Sequence, residues 1–377
     1  MAHEAAGHTL ILFAHFGSNT RLIFAPIARV SQDLPNIEPD HLPTWQAICT
    51  YLFIASLPGS LNGSRKTGAQ MKPFRKNVAI AIDGGGIKGV MVTRALSILE
   101  DALGKPVHEI FQLAVGTSTG SIISAGIGAG LSAQRMSAMY IQLGETIFSR
   151  SLRRALWPLT RYRYADQPLK DALSAVFGAM EMSDFWLHDP PLDVVITTFD
   201  LMENRTRFIK PWKKDYGSWS VCRAVQASCT VPTYFPVVEG RFIDGGVGSY
   251  ANPCYLAAYE ASVCLNWDPA ETTLISLGTG RAPHAFSARQ ATRLWPWQWL
   301  EPTLGAFMQS AGDQQVHLVE TFFRKLDFRR FQIDLREPIE MDDPGKIPEL
   351  CAYGVRMGRM ILADRVDPLQ KMLPEIL

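Results

Sequence analysis

The chain has 377 residues, 47% of them hydrophobic and 19% charged. That length excludes a small disulfide-stapled scaffold, and a charged fraction below the roughly 25% of average globular domains argues against extended disorder. Lys and Arg number 37 against 36 Asp and Glu, a net charge of +1 that gives no general nucleic-acid footprint.

Residues 1–70 hold four of the eight histidines and no acid between Ala5 and Gln32, and their helical and strand periodicity is poor. Residues 57–70 read LPGSLNGSRKTGAQ, a Pro, Gly, Ser and Asn composition that marks a linker. The expectation is that 1–70 is a disordered or dispensable extension and that the folded domain spans 71–377. From Met71 onward strands and helices alternate. Val78–Ile82 reads as a short apolar strand and Lys88–Leu103 as a helix with Met91, Ala95, Ile98, Leu99 and Ala102 on one face. Phe111–Val115 is the next buried strand, followed by an apolar helix from Thr119 to Ala129. Ser132 can cap a helix carrying Met136, Met139, Tyr140 and Leu143, and Pro168 starts another. Strands are expected at Val194–Thr198, Arg207–Ile209, Arg241–Asp244 and Thr273–Leu277. Helices are expected near Leu304–Leu326 and Pro348–Ala363, flanking a Phe328–Leu335 strand. This alternation implies an α/β fold with a mainly parallel central sheet covered by helices.

Six cysteines occur, with no C-x-x-C pair and no His/Cys cluster at zinc-ligand spacing. Reduced thiols, no metal and a reducing compartment are the expectation. No run approaches the roughly 18 apolar residues of a membrane span. The apolar stretches Leu10–Phe16 and Ala47–Leu57 follow no basic region, so a secretory signal is weak, though secretion is not excluded. A soluble cytoplasmic chain that touches membranes peripherally is expected.

Three motifs sit at strand ends. Asp83-Gly84-Gly85-Gly86-Ile87-Lys88-Gly89 lies between a strand and a helix. Its glycines let backbone approach a ligand closely, and the helix start adds free N–H groups and a positive dipole. That is the chemistry of an anion cradle, for a phosphate or for an oxyanion formed during reaction. The loop also fits G-x-G-x-x-G, so a dinucleotide site has to be weighed. Gly116-Thr117-Ser118-Thr119-Gly120 is a G-x-S-x-G in the strand–turn–helix setting of a nucleophile elbow. Asp244-Gly245-Gly246 follows a short strand; alone it reads as a routine turn. Together the three compose a catalytic set. Ser118 is the nucleophile, Asp244 the base, and the N–H groups of Gly84, Gly85 and Gly86 the oxyanion hole.

On these residues the sequence resembles the patatin-like phospholipase family. DGGGIKG (83–89), GTSTG (116–120) and DGG (244–246) occur in that order. Supporting matches are Ala227-Ser228 followed by Pro232, Phe235 and Pro236, then Asn252-Pro253 and Leu277-Gly278-Thr279-Gly280. The likeness covers about residues 76–282, and 1–70 have no counterpart in it. It implies a three-layer α/β/α fold, a Ser118–Asp244 dyad, an acyl-enzyme intermediate, an oxyanion hole at glycines 84–86, and hydrolysis of acyl-lipid esters of phospholipase A or lysophospholipase type with no cofactor. One departure is Lys88, where the family more often has arginine; lysine cannot form a bidentate fork.

Three other readings compete. A Ser–His–Asp hydrolase would use His284 or His317, both of which follow Asp244. A nucleotide-binding protein would use the Gly84–Gly89 loop with an acid about 20 residues on, yet Glu100 and Asp101 fall on the first helix rather than at the second strand end. A non-catalytic lipid-binding module would not need the intact serine, aspartate and glycines. For membrane contact the candidates are Arg153, Arg154 and Trp157 within the acid-free RSLRRALWPLTRYRY (150–164), and Trp295, Trp297 and Trp299 within LWPWQWL (294–300). The stretch RTRFIKPWKK (205–214) is a weaker one.

Overall fold

The computed structural model describes residues 9–16, 19–26, 71–148, 159–283, 289 and 292–370. Two compact units divide the chain, Met1–Thr67 and Gly68–Leu377. In the first, β1 (Thr9–Phe16) and β2 (Asn19–Pro26) pair antiparallel, with Phe16 opposite Asn19. Leu10–Phe16 is a nearly continuous apolar run, and by itself such a run does not distinguish a strand from a buried helical segment.

The second unit begins its sheet with β3 (Asn77–Ile82), then α1 (Gly89–Leu103), α2 (Val107–Ile110), β4 (Leu113–Gly116), α3 (Thr119–Gly128), α4 (Ala133–Ile147) and α5 (Gln167–Phe177). There follow β5 (Asp193–Asp200), β6 (Arg205–Ile209), α6 (Val221–Cys229), β7 (Phe242–Asp244) and α7 (Cys254–Tyr259). The unit closes with β8 (Thr272–Leu277), α8 (Leu300–Phe322), β9 (Asp327–Phe331) and α9 (Ile347–Leu362). As the spacing suggested, Ser132 caps α4 by accepting the Arg135 N–H, and a proline opens α5.

The strand order is β6-β5-β4-β3-β8-β9, with β7 also on β5. β5, β4, β3, β8 and β9 run parallel, while β6 and β7 are antiparallel to β5. Both faces of the sheet are covered, so β3 has no polar face. Val78, Ile80 and Ile82 enter a core shared with α1, α3, α4 and α9. Ala79 and Ala81 enter a second core with α7 and the C-terminal half of α8. Two-sided burial is the reason these strands read as apolar runs rather than alternating ones. The result is the helix–sheet–helix α/β architecture expected from the sequence. Among the described residues no helix is long and apolar enough to cross a membrane.

Sheet order brings the three motifs together. β3 and β4 are parallel neighbours, so the glycine loop and the serine turn leave the same sheet edge side by side, at the carboxyl ends where ligand crevices form. β4 stops at Gly116, opposite Ile196 of β5. β6 takes the other side of β5 across Ile196–Asp200. β7 therefore pairs with β5 where β4 has ended, setting Asp244 opposite Thr198. A three-residue antiparallel strand thus carries the aspartate to the mouth of the neighbouring parallel strand.

Candidate active site

Ser118 occupies the turn between β4 and α3 with φ 53° and ψ −124°. A non-glycine residue rarely adopts this conformation, which costs roughly 1–3 kcal/mol and persists only when its surroundings hold it. Several contacts hold it here. The Ser118 N–H donates to Ser228 Oγ at 2.8 Å, from α6. Thr117 Oγ1 lies 2.7 Å from Thr197 Oγ1 and donates to the Tyr250 carbonyl at 2.6 Å. Gly120 packs so tightly on the Ile82 and Asp83 carbonyls that no Cβ would fit, and Gly116 lies equally close to Gly120. The glycines of G-x-S-x-G therefore serve close packing of the turn against the end of β3.

Gly84 lies directly against the serine: a Cβ there would fall 3.2 Å from Ser118 Cβ. Its N–H donates to the Ala251 carbonyl at 2.9 Å, and its carbonyl accepts Thr279 Oγ1 at 2.6 Å. That N–H, one of the three expected at the oxyanion hole, is committed to the chain. No such bond occupies the N–H groups of Gly85 and Gly86 among the described residues. Gly86 has φ +60°, and Met341 O fills the space a Cβ would need. The same carbonyl accepts the Ile87 N–H at 2.9 Å, clamping the loop from its far side.

Asp83 is held by Arg330 of β9 in a bidentate pair, 2.8 and 2.6 Å, both groups buried. Arg330 also donates to Ser276 Oγ at 2.8 Å. Asp83 is therefore fixed from across β8 at the start of the loop. Lys88 closes the short turn Gly86–Lys88; burial lowers its pKa, and it forms no ion pair among the described residues. Gly89 opens α1 against Thr119 and Tyr140.

Asp244 is 3% exposed. Its Oδ1 accepts the Gly246 N–H at 2.8 Å, while Oδ2 has no completed hydrogen bond. Gly245 packs against Thr197, and Gly246 beside Met308 of α8. Burial pushes the Asp244 pKa up to about 6; the Ser118 hydroxyl and the Gly246 N–H pull against that rise without cancelling it. No cation pairs with Asp244 among the described residues. The arrangement is a desolvated carboxylate with a free lone pair facing a serine hydroxyl, which suits proton acceptance.

Ser118 opens into an apolar cavity of about 60 Å³. Ile122, Tyr140, Phe148, Cys229, Tyr234 and Met341 are among its lining residues. Burial keeps the Cys229 thiol protonated, so it acts as apolar wall.

The rival readings find little support here. His317 shares a 3.4 Å contact with Thr321 one turn along α8 and does not bond Ser118 or Asp244. His284 lies outside the described residues. Glu100 accepts the N–H groups of Val107 and Ala133, both at 2.8 Å, so it caps two helices rather than standing ready for a ribose. Among the described residues no three His, Cys, Asp or Glu side chains form a group that could hold a metal ion.

Residues 80–258 match the family model of the patatin-like phospholipases. Over these residues the chain is patatin-like. It is 27% identical over 247 residues to an intracellular phospholipase A2 of Caenorhabditis elegans, covering 60% of this chain and 21% of that protein. It is 30% identical over 216 residues to a cUMP-AMP-activated phospholipase of Escherichia coli, covering 54% and 65%. It is 25% identical over 266 residues to patatin group J-1 of Solanum tuberosum, covering 59% and 66%. The chain thus spans less than two thirds of the length of these relatives. All three motifs fall inside the patatin-like match.

The membrane candidates divide. Arg153, Arg154 and Trp157 lie outside the described residues, as does the side chain of Trp297. Trp295 and Trp299 are 62% and 43% exposed ahead of and at the start of α8, and Phe307 is 46% exposed along it. In the 205–214 stretch the cations are largely engaged: Arg207 pairs with Asp200 and Glu203, and Lys210 with the buried Glu260. Sequence reasoning quoted Ser228 and Thr279 without a role. It missed Arg330 and Met341, which lie about 250 residues from the loop they brace, a distance at which sequence carries no pairing signal.

Proposed function

We propose that the domain is a lipid acyl hydrolase of the phospholipase A or lysophospholipase type, using Ser118 as nucleophile and Asp244 as base. The observation that carries this reading is the pairing of a strained, buried serine, which opens on an apolar cavity, with a lone buried carboxylate whose pKa is raised to about 6. The names of the relatives support a phospholipid ester as substrate.

In the reaction, Ser118 Oγ attacks the ester carbonyl while Asp244 takes its proton. The Gly85 and Gly86 N–H groups donate to the oxyanion of the tetrahedral intermediate. The intermediate collapses, the C–O bond breaks, and protonated Asp244 gives its proton to the leaving alcohol. Water then attacks the acyl-enzyme with Asp244 again as base, releasing the carboxylic acid and restoring Ser118. The apolar cavity receives the start of the acyl chain. Asp83 with Arg330, and Met341, hold the loop that supplies the donors.

The exposed aromatic segment Trp295, Trp299 and Phe307 is our candidate for contact with a bilayer surface. It leads into α8, whose Met308 lies over the Asp244–Gly246 turn. Sedimentation with anionic and zwitterionic liposomes tests this: Trp295→Ala/Trp299→Ala should bind less than the parent, and equal binding would remove the proposal. The activity is tested by fluorophosphonate labelling. The parent should be labelled and Ser118→Ala should not; an unlabelled parent would point to a non-catalytic lipid-binding module.

A further inference from the structure

An acyl chain entering the cavity at Ser118 meets its aromatic wall. That wall includes Phe148, Tyr234 and Phe235. Behind it lies Tyr164, which is buried and does not line the cavity itself. The Tyr164 ring meets Phe148 edge-on at 5.4 Å and lies 5.8 Å from Phe235 and 6.4 Å from Tyr234. The Tyr164 N–H donates to the Tyr234 carbonyl at 2.8 Å, which ties the two segments together. The Tyr164 hydroxyl donates to Asp342 Oδ2 at 2.7 Å, with Arg163 Nη1 3.7 Å from the same oxygen. Asp342 is wholly buried. Its neighbour Met341 presses its carbonyl on Gly86 and accepts the Ile87 N–H.

A continuous path of contacts therefore runs from the cavity wall through Tyr164 and Asp342 to the back of the glycine loop. We propose that Tyr164 and Asp342 are positioning residues that couple entry of the acyl chain to the placement of the Gly85–Gly86 donors. The proposal rests on the ester-hydrolase reading above. In an empty cavity the loop takes the geometry seen here; a chain that shifts Phe148, Tyr234 and Phe235 shifts Met341 through the Tyr164–Asp342 bond. Chain binding energy is then expressed in the transition state, so it appears in kcat and not only in KM. A contact path becomes coupling only when perturbing its middle disconnects its ends.

The test is kcat and KM for 4-nitrophenyl esters from acetate to decanoate with the parent and Tyr164→Phe, which keeps the ring and deletes the hydroxyl. In the parent kcat should rise with acyl length, by about tenfold or more across the series. In Tyr164→Phe that rise should flatten, with kcat on acetate changed by less than about twofold and the dependence of KM on length retained. Should Tyr164→Phe fail to fold by thermal unfolding, Asp342→Asn gives the same comparison. Equal losses of kcat at every length, or a chain-length dependence confined to KM in the parent, would overturn the coupling while leaving the hydrolase reading intact. A parent that hydrolyses no ester and resists fluorophosphonate labelling would overturn both.

Discussion

Ser118 and Asp244 are each held in a state that costs stability. Ser118 sits at positive φ, where glycine is at ease. Ser118→Gly should therefore unfold at a higher temperature than Ser118→Ala, by a few degrees for roughly 1 kcal/mol of relieved strain, with both variants inactive. Differential scanning calorimetry checks the order, and Ala above Gly would contradict the strain. Asp244 has its pKa raised from an ordinary 3.8 to about 6, so ionising it is harder in the folded chain than in the unfolded one. The sign follows: stability is greatest below pH 3.8 for this group and falls as pH rises through about 6, where the base becomes competent. Activity should drop about tenfold per pH unit below that value, as expected for a single required base. Asp244→Asn should abolish activity and raise the melting temperature at pH 8, the gain being on the order of 1–3 kcal/mol and shrinking below pH 5. A lower melting temperature at pH 8 would show that the carboxylate is not an uncompensated buried charge.

At the scale of elements, the site is made by where strands stop. β4 ends at Gly116, β7 continues along β5 in its place, and Asp244 arrives beside Ser118. The sequence made the serine turn and the glycine loop legible because each lies between an apolar run and a helical pattern, with glycines at positions only they can fill. It made Asp244 legible only in combination, since Asp-Gly-Gly after a three-residue strand is an ordinary turn. α6 escaped notice because Val221–Cys229 is short and mixes polar with apolar residues, yet its Ser228 holds the Ser118 amide. The loop brace was invisible for another reason: Met341 acts through its backbone carbonyl, which any residue possesses. Gly86→Ala should consequently lose more stability than the roughly 1 kcal/mol of alanine at positive φ, because its Cβ also displaces the Met341 carbonyl, and the folded fraction should lose about 10²–10³ in kcat as the donors shift. Unaltered kcat would mean that the Gly85–Gly86 segment does not supply the oxyanion hole.

At the scale of the whole molecule, the helix-covered parallel sheet followed from the alternation of apolar strands and amphipathic helices after Met71. The hairpin of the first unit did not, because its first strand is an apolar run with no following helical pattern to mark it as a strand. Every residue in the proposed site belongs to the unit Gly68–Leu377. A chain beginning at Met71 is therefore expected to fold and to keep its hydrolase activity within about twofold, since no site residue is removed. A collapsed melting transition in that truncation would show that residues 1–70 contribute to the domain's stability. The central claim is that Ser118 and Asp244 cleave acyl esters of lipids. Mass spectrometry of the products from a mixed phospholipid panel tests it most directly. Parent protein should release free fatty acid and lysolipid, and Ser118→Ala and Asp244→Asn should release neither; product formation undiminished in Ser118→Ala would contradict the account.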